Sequence, residues 1–270
     1  MSYPLTAIVS DLHGNAPALE TALADARERG ARRFVCLGDV IGYGAEPRHN
    51  LDLVMSMCTS EPEPPEEFGE LEPGLCLLGN HEYALLNTAE DFNPRVRAAL
   101  DWTREELNRD DDRSRRYAYW DFLAALEPSA LDEGAMFAHG SPRDPVREYM
   151  LPRDIHDDAK MKANWDCMSA QICFVGHSHV PALYFEDRRL YRPRGTEGPY
   201  ELRDSQARVI VNVGSVGQPR DGDCRLSYVL FDGRAVTFVR LDYDIERAAA
   251  AIQAVPELPR YLAERLRVGR

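Results

Sequence analysis

Residues 34–39 read Phe-Val-Cys-Leu-Gly-Asp, an apolar run that ends abruptly in a glycine and a carboxylate. Four other apolar runs in the chain end in the same way, with polar side chains directly behind the run. Each run has the composition of a buried strand, so the sequence predicts a set of strands whose ends carry potential metal ligands. The residues at these ends are Asp11 with His13, Asp39, Asn80 with His81 and Glu82, His139, and His177 with His179.

The strand at residues 34–37 is predicted to belong to a βαβ unit. Asn15 and Pro17 mark a helix start after the first strand, apolar residues recur at helical spacing, and Gly30 ends the helix. A strand, a helix and a second strand in this order indicate a parallel sheet. Because ligands gather at the carboxyl ends of such strands, we expect the five polar strand ends to lie close together.

The remainder of the chain divides into helical and strand-rich parts. A helix is predicted over residues 47–57, an exposed acidic loop over 59–74, two helices before residue 124, and a helix over 152–168 that covers the site. Six short runs after residue 182 predict a second, antiparallel sheet, and residues 245–266 predict a last helix. Two sheets with helices outside them indicate a layered α/β fold, and we expect residues 1–270 to form a single domain.

The composition limits the classes of partner. The formal net charge is -13 and the pI is about 5.0, which argues against a protein that binds nucleic acid or an anionic membrane through its overall field. None of the six cysteines forms a C-x-x-C pair, which favours a reducing compartment without a disulfide framework. With no leader pattern and no long apolar stretch, we expect a soluble, cytoplasmic protein.

The polar strand ends form a ligand set without a thiolate. Oxygen and imidazole donors suit Mn, Fe, Co, Ni or Zn in five- or six-fold geometry and disfavour a closed structural zinc site, which would use cysteine. A carboxylate can bridge two ions, and Asp39 is the residue that we expect to be shared. The predicted ligands are Asp11, His13, Asp39, Asn80, His139, His177 and His179.

Two divalent cations held about 3.5 to 4 Å apart lower the pKa of a shared water and neutralise charge on a phosphoryl group. The leaving oxygen then needs a proton. His81 directly follows Asn80 without being required as a ligand, so we predict that it is the general acid, with Glu82 orienting or polarising it.

Two arginines are candidates for binding a phosphate, because a guanidinium matches phosphate geometry. Arg220 lies in a glycine-rich segment, residues 212–223, that indicates a strand followed by two turns, and Arg143 follows the strand end at His139. We expect both to contact the substrate only if their loops return to the metal ligands.

The five strand ends resemble the motifs of the calcineurin-like metallophosphoesterase superfamily. The intervening segments at residues 42–44, 92–94, 139–145 and 212–222 resemble one bacterial branch of predicted phosphodiesterases and phosphatases, and the likeness runs from Thr6 to about Tyr243. The resemblance implies a four-layer αββα sandwich with two mixed sheets, and a dinuclear centre whose bridging hydroxide attacks phosphorus.

The resemblance also implies a role for each ligand. One metal would take Asp11, His13, Asp39 and His179, and the other Asp39, Asn80, His139 and His177. His81 would protonate the leaving group, while Glu82 stands where many members carry Asp, which leaves the metals unaffected.

The activity expected from this pattern is metal-dependent hydrolysis of a small phosphodiester or phosphoanhydride. The alternatives are a phosphomonoesterase, a serine/threonine protein phosphatase-like enzyme and a dinucleoside polyphosphate hydrolase. A nucleolytic role is disfavoured by the acidic chain. A non-catalytic scaffold, like the retromer subunit of the superfamily, would need neither His81 nor the seven ligands.

Overall fold

The computed structural model describes residues 3–89, 92–203 and 207–270. The strands in these ranges are β1 Thr6–Val9, β2 Arg33–Cys36, β3 Leu75–Cys76, β4 Ser129–Asp132, β5 Ala135–Ala138, β6 Ile172–Val175, β7 Ala182–Phe185, β8 Leu190–Tyr191, β9 Glu197–Glu201, β10 Val209–Asn212, β11 Leu226–Phe231 and β12 Ala235–Leu241. They form two mixed sheets, in the orders β3-β2-β1-β11-β12-β9 and β4-β5-β6-β10-β7-β8.

The helices lie outside the two sheets. They are α1 Ala16–Glu28, α2 Pro47–Met57, α3 Asn80–Leu86, α4 Pro94–Asn108, α5 Arg113–Ala124, α6 Asp158–Cys167, α7 Ile245–Gln253 and α8 Tyr261–Leu266, with short 3₁₀ turns at Glu66–Phe68 and Pro152–His156. Asn15 caps α1 by accepting from the backbone N–H of Ala18, as the turn signal predicts.

The inner faces of the two sheets pack against each other. Ile8 and Val35 of the first sheet share one buried cluster with Phe137 and Phe174 of the second, and the Phe174 and Phe231 rings lie 5.0 Å apart. Helices α1 and α2 cover the first sheet, and α6 covers the second. The predicted αββα sandwich of two mixed sheets is therefore confirmed.

The prediction of one antiparallel sheet after residue 182 is wrong. Strands β9, β11 and β12 complete the first sheet, whereas β7, β8 and β10 complete the second. The division depends on long-range pairing, since Thr6 of β1 pairs antiparallel with Phe231 of β11. Local patterns of apolar residues cannot specify such a partner.

The last predicted helix is two helices. The structure ends α7 at Gln253 and begins α8 at Tyr261, and the segment between them contains Pro256 and Pro259. A proline lacks the N–H that a helix needs and restricts the residue before it, so this stretch cannot continue α7. No helix in the described ranges is long and apolar enough to cross a membrane.

Candidate metal centre

The polar strand ends converge where the two sheets meet. Asp11, Asp39 and Asn80 follow β1, β2 and β3 of the first sheet, while His139 and His177 follow β5 and β6 of the second. The two β-sheets thus contribute ligands to one place. The expectation that strand ends gather holds, but they come from two sheets and not from one parallel sheet.

The candidate ligands form two groups that share one residue. Potential ligand atoms of the first group all lie within 4.8 Å of one another, and the same holds for the second. Asn80 joins the second group, because its Oδ1 lies 3.0 Å from His139 Nε2. The first group is Asp11, His13, Asp39 and His179, and the second is Asp39, His139 and His177.

One oxygen of Asp39 faces both groups. Asp39 Oδ2 lies 3.6 Å from His13 Nε2 and 3.5 Å from His139 Nε2. The other oxygen, Oδ1, accepts a hydrogen bond from the backbone N–H of His81 at 2.9 Å. The carboxylate is therefore held in a position where Oδ2 alone would connect the two groups.

The outer ring nitrogen of each candidate histidine faces a backbone carbonyl. These distances are 3.2 Å for His13 to Ile41, 3.2 Å for His139 to Leu37, 3.0 Å for His177 to Arg147 and 2.5 Å for His179 to Gln218. A nitrogen facing a carbonyl oxygen must carry the proton of a neutral imidazole, which leaves the inner nitrogen as a lone pair. Carbonyl partners of this kind fix the tautomer in metal sites.

The inner nitrogens then face each other. His13 Nε2 lies 3.3 Å from His179 Nε2, and His139 Nε2 lies 3.1 Å from His177 Nδ1. Burial lowers the pKa of His139 to about 4 and that of His177 to about 2, so all these rings are neutral near pH 7. Two lone pairs at hydrogen-bond distance have no proton between them, and a cation satisfies both. The donor set therefore fits a metal.

The surroundings of Asp39 disfavour a charge on its carboxylate. Burial, with the neighbouring Glu82 and Asp11 carboxylates, raises the pKa of Asp39 well above its usual range. Bound cations are commonly the largest charges in such a site and keep ligating carboxylates ionised. This excess of buried acceptors is a second observation that fits divalent ions.

Five of the candidate ligands have left-handed backbone conformations. Their φ angles are +56° at Asp11, +49° at His13, +54° at Asp39, +62° at His177 and +58° at His179. This region costs a residue with a Cβ roughly 1–2 kcal/mol. Strain that clusters in one place is typical of functional sites, where the surrounding structure holds each side chain in position.

His81 lies beside the ligands. Its ring is buried 4.7 Å from the His13 ring and 4.5 Å from the Tyr43 ring, and in the described part of the chain its Nδ1 has no hydrogen-bond partner. Burial, followed by the Arg220 guanidinium, lowers its pKa well below the usual range. The His81 side chain also lines the cleft, where an imidazole is placed to exchange a proton with a bound molecule.

Glu82 makes different contacts from those that the sequence suggests. Its carboxylate accepts backbone N–H groups of Asp39 at 2.8 Å, Gly79 at 3.0 Å and Ile41 at 3.1 Å. Burial raises its pKa to about 7. Within the described contacts, Glu82 orients the backbone around Asp39 and does not contact the imidazole of His81.

A cleft of about 310 Å³ opens over the centre. Arg220 lines this cleft, as the sequence suggests, and donates to Gln218 Oε1 at 2.9 Å. Arg143 does not line it, because its guanidinium donates to Glu148 at 2.9 Å instead. The lining residues that the sequence did not single out include Tyr83, Arg147 and Tyr149.

The direction of a loop side chain explains why these lining residues were missed. Arg143 and Arg147 lie in the same loop, and only Arg147 reaches the cleft, with its guanidinium 4.8 Å from the Tyr83 ring centroid. The Tyr149 ring stacks on the His177 ring at 3.9 Å. The proximity of these residues to a predicted ligand strand was the only available signal.

Comparisons with known proteins agree with this geometry. The family model of the calcineurin-like phosphoesterase superfamily domain matches residues 5–235. An uncharacterised protein of Methanocaldococcus jannaschii is 33% identical over 273 residues, which cover 98% of each chain. The crystal structure of a metallophosphoesterase from Sphaerobacter thermophilus is 32% identical with a TM-score of 0.79, over 99% of this chain and 100% of that one.

A hypothetical protein from Pyrococcus horikoshii has the same fold, with a TM-score of 0.71 and 18% identity over 98% of each chain. The family model, the two relatives of about one-third identity and the Asp/His cluster at the strand ends lead to the same assignment. The chain belongs to the calcineurin-like phosphoesterase superfamily and is a hydrolase of phosphoester bonds.

Proposed function

We propose that the protein is a phosphodiesterase that acts on small phosphoesters or phosphoanhydrides with two divalent cations. The observation that carries this proposal is the position of Asp39 Oδ2 between two groups of neutral, inward-facing imidazoles. A site for one ion would not need a second group of donors on the far side of the same carboxylate. The ions would be Mn, Fe, Co, Ni or Zn, because the donors are oxygen and imidazole.

The two groups of residues have separate tasks. Asp11, His13, Asp39 and His179 would hold one ion, while Asn80, His139 and His177 would hold the other with Asp39. When bound, the ions would supply an acidified water as nucleophile and positive charge for the phosphoryl oxygens. The backbone carbonyls behind the four imidazoles keep each ring in its ligating tautomer.

His81 is proposed to protonate the leaving oxygen. Its imidazole is neutral in the free site, because burial and Arg220 lower its pKa. A phosphoryl group in the cleft brings negative charge next to the ring, which raises the pKa and favours the protonated form. Glu82 would position His81 indirectly, since it fixes the backbone of Asp39, whose Oδ1 accepts the His81 N–H.

Two arginines are proposed to orient the substrate. Arg220 and Arg147 line the cleft from opposite loops, and a guanidinium presents several donors in a fixed plane to phosphate oxygens. Substrate contact by Arg143 stays a prediction with less support. Its guanidinium is hydrogen-bonded to Glu148, and the side chain is outside the cleft.

The rival activities share this chemistry and differ in the leaving group. Phosphomonoesters, phosphoproteins and dinucleoside polyphosphates all present a phosphoryl group that the same ligands would hold. A non-catalytic scaffold is disfavoured, because it would have no use for His81 with an unused nitrogen beside the ligands. We further propose that the whole chain is one domain that works in the cytoplasm, and that nucleic acid is not its substrate.

The test compares bis(p-nitrophenyl) phosphate with p-nitrophenyl phosphate as substrates of metal-stripped protein that is reloaded with Mn, Ni, Zn or Mg. We expect metal-dependent hydrolysis, with the diester preferred. On a diester whose leaving group is an alcohol, which needs a proton to leave, His81→Ala should lower kcat at least about 100-fold, the usual contribution of a general acid. His156→Ala is the matched control, because His156 is exposed and lies outside the centre.

Each outcome decides between the activities. Preference for the monoester would replace the diesterase proposal by a phosphatase. Equal activity of His81→Ala and the wild-type protein on a diester with an alcohol leaving group would remove His81 from the reaction. Absence of hydrolysis with every metal, on both compounds, would contradict the enzyme proposal and favour a binding role.

A further inference from the structure

A second depression adjoins the cleft over the metal centre. It has a volume of roughly 620 Å³, enough for the second part of a small substrate. The two depressions share Tyr43, Asn93, Val96, Tyr149 and Arg220, so one molecule can occupy both. Beyond these shared residues it is lined by Pro94, Arg95, Tyr261 and Arg265.

The walls of this depression are cationic and aromatic. The Arg220 and Arg265 guanidinium carbons lie 5.7 Å and 6.0 Å from the centroid of the same Tyr43 ring, and that of Arg95 lies 5.4 Å from the Tyr261 ring. Among the described lining residues there is no carboxylate. In a chain with a formal charge of -13, three arginines in one depression are a strong local exception.

The positive charge of these arginines is not neutralised by carboxylate side chains of the described ranges. Arg220 donates to the neutral amide oxygen of Gln218, and Arg265 donates to a main-chain oxygen of Arg270. Burial, followed by the neighbouring Arg220 guanidinium, lowers the pKa of Arg265. Like charges that are held together in a partly buried place are relieved by an anionic ligand.

The path from the metal centre to this depression is short. The Tyr43 ring lies 4.5 Å from the ring of the candidate ligand His13 and also contacts Arg265. A single aromatic ring therefore separates the centre from the arginines. Arg220 lines both depressions and can contact either end of a bound molecule.

We infer that the substrate carries a second phosphate group, which Arg95, Arg220 and Arg265 bind while the reacting phosphate lies over the metal ligands. The inference rests on the proposed function and narrows it to small phosphoesters with two separated phosphates. Phosphate is favoured over a single carboxylate, because three guanidinium groups offer more donors than two carboxylate oxygens require.

The experiment uses two substrates that differ only in the second phosphate. They are thymidine 5′-(p-nitrophenyl phosphate) and the same compound with an added 3′-phosphate. For wild-type protein we expect kcat/KM to be roughly tenfold higher or more for the second compound, as one charged hydrogen bond would give. Arg95→Gln and Arg265→Gln should reduce this preference towards one.

Matched variants control for the loss of an arginine. Arg97→Gln removes an exposed guanidinium two residues along α4 from Arg95, and Arg267→Gln removes one that pairs with Glu246, two residues after Arg265. Both should keep the wild-type preference. Circular dichroism and urea unfolding establish that each variant is folded.

Binding to metal-free protein separates this inference from the proposed function. Calorimetric titration should give tighter binding of thymidine 3′,5′-bisphosphate than of thymidine 5′-monophosphate, by a factor that Arg265→Gln removes. Equal affinities, or a preference that both arginine variants retain, would overturn the inference even if diester hydrolysis is normal. Tighter binding of a DNA oligonucleotide than of the bisphosphate would assign the arginines to a nucleic-acid backbone and overturn it as well.

Discussion

Gly42 gives the ring of His81 its space. The glycine has a φ of +85°, and a Cβ at this position would lie 2.2 Å from His81 Nδ1. No real side chain tolerates that distance, so the ring would have to move. The residue thus helps to position the ring of the proposed proton donor.

Gly42→Ala is expected to cause a large loss of kcat with only a small loss of unfolding free energy. Gly30→Ala is the matched control, because Gly30 has a φ of +88° and nothing lies within 4 Å of the added Cβ. Both variants should lose about 1–2 kcal/mol of unfolding free energy through left-handed strain. Only Gly42→Ala should lose about 100-fold in turnover of a diester whose leaving group is an alcohol.

Urea unfolding and initial rates, measured on the same preparations, test this expectation. Equal turnover of the two alanine variants would show that Gly42 is not needed to keep the His81 ring in position. A rate loss in both variants would point to general destabilisation instead.

At the scale of elements, the loop between β5 and the Pro152–His156 turn depends on Glu148. Its carboxylate accepts from Ser141 Oγ at 2.7 Å, from Arg143 Nε at 2.9 Å and from Asn164 Nδ2 at 3.0 Å. The same loop places the Tyr149 ring against His177. Arg143 therefore stabilises the loop that presents other residues to the cleft.

The contacts of Glu148 predict a dependence of stability on pH. Burial raises its pKa, but hydrogen bonds from Arg143, Asn164 and Ser141 outweigh this and lower the pKa from 4.5 to about 2. A depressed folded pKa gives stability that is present above about pH 4.5 and lost as the pH falls towards 2. The difference in unfolding free energy between wild type and Glu148→Gln should therefore be largest near neutral pH and should narrow in acid.

Urea titrations of both proteins across this pH range measure the difference directly. Glu105→Gln is the control, because Glu105 is exposed and forms only a surface pair with Arg109. Parallel pH profiles of the unfolding free energy for wild type and Glu148→Gln would show that the hydrogen bonds from Ser141, Arg143 and Asn164 do not keep Glu148 ionised.

Much of the element order could be predicted from the sequence, because buried strands and capped helices leave local patterns. The run at residues 34–37 and the cap at Asn15 are examples. The partner of each late strand could not be predicted, since β11 pairs with β1 across most of the chain. The orientation of the Arg143 side chain could not be predicted either, because it is set by a hydrogen bond to Glu148, five residues along the chain.

For the whole molecule, the centre depends on the packing of one sheet on the other. The first group of ligands and the second share only Asp39, and their histidines follow strands of both sheets. Apolar residues such as Ile8 and Phe174 hold the sheets together beneath the centre. The order of the candidate ligands could be predicted from the residues, and their division into two groups was expected from the family resemblance. Residue spacing alone did not predict that division, because it depends on which strand ends meet in the fold.

A substitution in one group of candidate ligands is expected to remove only the ion that this group holds. Wild-type protein should retain about two divalent ions per chain after dialysis against Mn or Zn, whereas His139→Ala should retain about one. His49→Ala should keep the wild-type content, since His49 is exposed and pairs with Glu20. Elemental analysis gives the ion content, and melting temperature should rise with the metal, which binds the folded state preferentially.

One ion in wild-type protein would contradict a dinuclear site, and full metal content in His139→Ala would contradict the assignment of His139 as a ligand. Loss of both ions in His139→Ala would mean that the two groups cannot be filled separately.

If two cations bind as proposed, the position of Asp39 Oδ2 has a thermodynamic consequence. A donor atom common to two cation sites makes their affinities interdependent, because the first cation withdraws electron density that the second must share. Linkage requires that each ion change the affinity of the other by the same factor, whichever is loaded first. The binding isotherm of this protein should therefore show two unequal steps, and the weaker step sets the concentration of free metal at which the enzyme becomes active.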